Sequence, residues 1–137
     1  MERLHLRLRG QRAGELNHSH QKQLEKNVYA GQPVWVSEFG GTFWNPDEPG
    51  GWGYGAAPES EEAFLERYTG LTTVLMQNER VCGFCYTQLT DIEQEQNGLY
   101  RYDRSRKFAD DIYDAIRRVN EQTAAIERNS PQAVEDQ

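Results

Sequence analysis

Two short apolar runs bracket one helical stripe, and that order leaves few folds open to the chain. Pro33-Val34-Trp35-Val36-Ser37-Glu38 and Val81 through Leu89 are rich in the β-branched and aromatic residues that suit strands. Between them, Ser60 to Asn78 repeats apolar residues at helical spacing. Phe64, Tyr68, Leu71 and Leu75 form one stripe, with Leu65, Thr72 and Met76 beside it. Ser60 is positioned to cap this helix, and Glu59, Glu61 and Glu62 crowd its first turn, where the macrodipole favours anions. A second helix is expected from Lys107 to Glu127, burying Phe108, Ile112, Ala115, Ile116 and Val119. The order strand, helix, strand, helix predicts an α/β arrangement of parallel strands joined by a right-handed crossover.

The first strand ends in a carboxylate, Glu38, followed by Gly40 and Gly41. A parallel strand covered on both faces stays apolar along its length, so a charge at its tip needs a reason. The second run also turns polar at its C-terminal end, and a shared polar rim is where α/β enzymes build their sites. A solvated strand-end carboxylate is the plainer account of Glu38, and this segment alone leaves both open.

The connection from Phe39 to Pro58 holds Phe43, Trp44, Trp52 and Tyr54 among six glycines and three prolines. Structureless loops of ~20 residues are usually functional or disordered, and disordered ones are poor in aromatics. Trp44 and Trp52 are therefore candidate stacking faces for a flat, CH-rich ligand such as a pyranose ring. The competing reading is that both fold back to pin the loop.

The chain has 137 residues, 36% hydrophobic and 27% charged, which fits one folded domain. Its net charge of −7 disfavours nucleic acid and anionic membrane as partners. No apolar run approaches the ~20 residues that span a bilayer. The first twelve residues, MERLHLRLRGQR, lack the hydrophobic segment of a secretory signal, so a cytoplasmic protein is expected. Cys82 and Cys85 are the only cysteines. Such a C-x-x-C pair could be a redox motif or half a zinc site. On a regular strand, however, positions i and i+3 face opposite ways and could not easily grip one ion, so two buried, reduced thiols are expected. Neither metal nor cofactor is expected. Residues 1–30 read as a leader of undefined structure, and residues 129–137 as a frayed polar tail.

Several ordered blocks carry a family likeness: Val36-Ser37-Glu38-Phe39-Gly40-Gly41, Gly51-Trp52-Gly53-Tyr54-Gly55, Gly83 through Glu95, Asn97-Gly98-Leu99-Tyr100 and Tyr102-Asp103-Arg104. Together they resemble the C-terminal part of the catalytic domain of glycoside hydrolase family 2, which includes β-galactosidases and β-glucuronidases. The likeness covers about residues 31–120 and makes residues 31–128 a partial (β/α)8 TIM barrel, its last two βα units. It implies that Glu38 ends the seventh strand as the catalytic nucleophile. It also places Tyr86 near the aromatic that lines the sugar pocket from the eighth strand, with Gln88 close by. The implied chemistry is hydrolysis of β-glycosides, a galactoside by default, by double displacement with retention, using a second carboxyl ~5 Å away.

The departures are equally specific. The family's acid/base Glu sits in an Asn-Glu pair on an earlier strand, and no such pair precedes Glu38 here. Asn78-Glu79 and Asn120-Glu121 fall at a helix end and inside the last helix. The family's first six barrel strands have no counterpart, and two parallel strands cannot close a barrel. The chain is thus expected to act as a fragment that needs the rest of the barrel or self-association, with a carbohydrate as substrate. Two alternatives stand beside this. In one, Asp91 or Glu93 partners Glu38 across neighbouring strands, which lie ~4.8 Å apart. In the other, the aromatic loop at 43–54 serves a non-catalytic carbohydrate-binding or assembly module.

Overall fold

The two apolar runs form strands that pair in parallel, β1 (Val34–Gly40) and β2 (Val81–Thr87). Between them runs α1 (Glu61–Met76), and after β2 come α2 (Asp110–Asn120) and the single turn α3 (Ala125–Arg128). The structure is a computed structural model and describes residues 30–47 and 50–128. The expected leader, except for Ala30, and the expected tail lie outside the described residues.

Helix α1 forms where the stripe places it. Ser60 is extended and its Oγ accepts a hydrogen bond from the Ala63 amide at 3.2 Å, satisfying one of the orphan donors of the first turn. Phe64, Tyr68, Thr72, Leu75 and Met76 are buried along one face, while Leu71 is half-buried. This face meets two clusters. Phe64 and Tyr68 pack with Phe108, Ile112, Ile116 and Val119 beneath α2, and Leu75 packs with Val36, Phe39 and Val81 beneath the sheet. Tyr86 touches both clusters and ties them into one interior. Each large side chain buried here removes apolar surface worth roughly 1.5–3 kcal/mol.

The last helix starts later than its apolar spacing predicts, and it is broken. Lys107 and Phe108 lie before α2, with their amides donating to the Tyr113 hydroxyl at 2.8 and 3.4 Å. Ala109 is extended and has no side-chain cap of its own; its amide donates instead to Glu61 of α1 at 3.1 Å. Tertiary partners thus hold residues 107–109 out of the helix. Beyond Asn120 the helix stops, and a new turn starts where the Glu127 carboxylate accepts from the Ala124 amide at 2.7 Å.

The cysteines overturn an expectation. Cys82 and Cys85 are both exposed free thiols, not buried ones. Val34 pairs with Val81 but Trp35 with Gly83, so Cys82 is an extra residue; Cys85 falls in a second irregularity, between the pairs Val36–Phe84 and Phe39–Tyr86. These shifts break the two-residue alternation on which the burial of both thiols was inferred. Among the described residues, only one side of the two-stranded sheet is packed. Trp35, Glu38, Cys82 and Cys85 are exposed, whereas Val36, Phe39 and Val81 are in the core.

Candidate functional site

Glu38 sits in the irregular stretch of β1, between Val36 and Phe39, where two residues oppose one on β2. A bulge re-aims a side chain, and here the carboxylate is exposed while Phe39 enters the core. Among the described residues Glu38 has no side-chain hydrogen bond or ion pair. Among the described residues it is a free carboxylate on the sheet face opposite the core.

The chain leaves β1 through Gly40 and Gly41, both with positive φ (84° and 67°). A side chain at Gly40 would strike the Tyr86 ring, and one at Gly41 the Tyr54 ring. Glycine is required here for both conformation and clearance. The loop then zips onto the segment that follows β2. The Trp44 amide donates to the Gln96 carbonyl at 3.0 Å, the Trp52 amide to Gln94 at 2.8 Å, and the Gln96 amide back to Trp52 at 3.2 Å. The Asn45 side chain adds a bond to Gln96 Oε1 at 3.0 Å.

This zipper separates the two tryptophans. Trp44 packs against the helical cluster, its ring nearly parallel to Phe108 at 6.4 Å, and its Nε1 is buried without a partner. It pins the loop. Trp52 remains 49% exposed and meets Tyr54 edge-on at 5.8 Å. Tyr86 is packed against both core clusters, with its hydroxyl donating to the Asn97 carbonyl at 3.4 Å. Gln88 donates from Nε2 to the Glu95 carbonyl at 3.3 Å. Both residues are half-buried and bond to the segment that follows β2. Of the expected site residues, Glu38 and Trp52 are exposed, and Trp44, Tyr86 and Gln88 are half-buried.

The rim is built on a buried polar knot that the sequence reading missed. Asp91 Oδ1 accepts from Lys107 Nζ at 2.6 Å and from the Gly98 amide at 2.8 Å. Lys107 Nζ also donates to the Gln96 and Gly98 carbonyls at 3.2 and 3.3 Å. Burial pulls Lys107 below the usual lysine range, and the Asp91 carboxylate opposes that shift. Gly98 fits because a side chain there would collide with the backbone of Thr90 and Asp91. Asp91 is therefore engaged by Lys107, and Glu93 is exposed in the turn between Ile92 and Glu95. Asn97 is fully buried and donates from Nδ2 to Glu95 Oε1 at 3.1 Å.

The aromatic floor has a consequence at high pH. Burial, with a smaller contribution from Tyr68, pushes Tyr86 far above its ordinary value of 10.0, and burial likewise raises Tyr68. Above pH 10.0 the unfolded chain ionises these phenols while the folded chain keeps its protons. Stability therefore falls as pH rises past that point, by up to about 1.4 kcal/mol per pH unit for each group. Ultraviolet titration should show these two tyrosines ionising only together with loss of the far-ultraviolet circular dichroism signal.

No family model and no curated protein matches this chain. Among the described residues, no three His, Cys, Asp or Glu side chains group as metal ligands, and no helix is long and apolar enough to cross a membrane.

Proposed function

We propose that this chain supplies the nucleophile-bearing part of a retaining β-glycosidase, as its resemblance to glycoside hydrolase family 2 implies. The observation that carries this reading is the exposed, unpartnered Glu38 near the C-terminal end of a parallel strand, whose following loop exposes a tryptophan. Catalytic carboxylates of (β/α)8 enzymes stand at that end of their strands. The sheet face opposite the core suits a barrel interior that further strands would close, since an open two-stranded sheet is marginal alone.

In the proposed reaction a Glu38 oxygen attacks the anomeric carbon as the bond to the leaving oxygen breaks. A carboxylic acid from another part of the barrel gives its proton to that oxygen. The same group then takes a proton from water, which attacks the anomeric carbon and frees Glu38. Asp91 does not suit the acid role, because its Oδ1 is already engaged by Lys107 Nζ and the Gly98 amide in the interior.

The test is complementation. Combined with a polypeptide carrying the first six strands of a family 2 barrel, the chain should hydrolyse an aryl β-galactoside that neither part cleaves alone. A folded, stoichiometric complex without hydrolysis of aryl galactoside, glucuronide or mannoside would overturn the reading. The loop-based alternative, binding without catalysis, draws support from the exposure of Trp52 and Tyr54.

A further inference from the structure

We infer that Trp52, with Tyr54 at its edge and Glu95 beside it, forms a pyranose-binding platform on the rim that works without the catalytic carboxylate. The inference deepens the glycosidase reading by giving that site a separate sugar-holding element, but its chemistry is independent of Glu38.

Three observations carry it. The indole is half exposed although its backbone is bonded on both sides, from its amide to Gln94 and from the Gln96 amide to its carbonyl. Its exposure is thus fixed by an ordered scaffold rather than by a loose loop. Next, Tyr54 meets the indole edge-on, its amide is held by the Gly41 carbonyl at 2.7 Å, and its ring lies over Gly41, where no side chain fits. A T-shaped neighbour braces the indole, about half of which stays exposed to a ligand. Finally, Trp52 and Glu95 pair as neighbours in a parallel bridge, and the Glu95 carboxylate is oriented by the fully buried Asn97.

A flat aromatic face beside an oriented carboxylate is suited to a sugar ring. The ring's axial C–H groups stack on the indole, and its hydroxyls donate to the carboxylate. An apolar ligand has no use for the carboxylate, and an acyclic polyol has no rigid face for the indole.

The experiment titrates the full chain with methyl β-galactopyranoside, following tryptophan fluorescence and the indole N–H resonance, with sorbitol as the acyclic comparison. Saturable binding of the glycoside is expected, with sorbitol at least about tenfold weaker. Trp52→Ala should weaken binding at least about tenfold and Trp52→Phe by less, with circular dichroism unchanged. Glu95→Gln should weaken binding several-fold. Glu38→Gln should bind as the parent chain does. Binding is read on the chain alone and hydrolysis on the complemented barrel. Saturable binding with no hydrolysis by a folded complex overturns the glycosidase reading and leaves the platform, whereas hydrolysis by the complex with no binding by the chain overturns the platform alone. Equal binding of sorbitol, absence of saturable binding, or an unchanged affinity in Trp52→Ala would overturn the platform.

Discussion

Asp91→Ala is expected to lower the stability of the chain by about 3–5 kcal/mol, the range found when one member of a buried ion pair is removed. The replacement leaves Lys107 Nζ, which is wholly buried, with only the Gln96 and Gly98 carbonyls, and it leaves the Gly98 amide without its acceptor. Small domains have only ~5–15 kcal/mol in total, so the loss should be plain as a lower urea midpoint with an unchanged slope. Replacing both partners by apolar residues, Asp91→Leu with Lys107→Met, should recover much of it, because no buried charge is then left alone. The pair also has a pH signature. Burial lowers Lys107 from its ordinary 10.5, so in the interval below that value the unfolded chain binds more protons than the folded one. Stability from this group therefore rises with pH across the interval, and the rise should vanish in the double variant.

Glu38→Gln should reduce the hydrolytic rate of the complemented barrel by about six orders of magnitude, the scale on which removal of a covalent nucleophile acts. The same substitution should change folding stability by no more than about 0.5 kcal/mol, because the side chain is exposed and makes no contact that the fold uses. The contrast with Asp91 is diagnostic. One carboxylate matters to chemistry and not to folding, and the other the reverse. If Glu38→Gln unfolded the chain or left turnover intact, Glu38 would be a structural residue or a bystander.

The sequence disclosed the parts of the fold that local periodicity controls. Residues 60–78 carry a cap, an acidic first turn and an apolar stripe, and the helix at Glu61–Met76 follows from them. The parallel pairing of β1 and β2 likewise follows from two apolar runs separated by one helix. Tertiary effects were hidden. Nothing local says that Lys107 joins Asp91 sixteen positions earlier, or that the Tyr113 hydroxyl holds residues 107 and 108 out of α2. The exposure of Cys82 and Cys85 was missed because a register shift leaves no mark in composition. Trp44 and Trp52 looked alike from their neighbours, yet only a long-range partner, Phe108, assigns Trp44 to the interior. The role of Gly98 against Asp91 likewise depends on the folded backbone.

Covalent trapping addresses the proposed role of Glu38 most directly. The complemented barrel is treated with 2-deoxy-2-fluoro-β-galactosyl fluoride and the modified peptide is sequenced by mass spectrometry. A single fluorosugar ester on Glu38, formed as activity is lost, is the expected result. An ester on a different carboxylate, or complete inactivation with Glu38 unmodified, would contradict it.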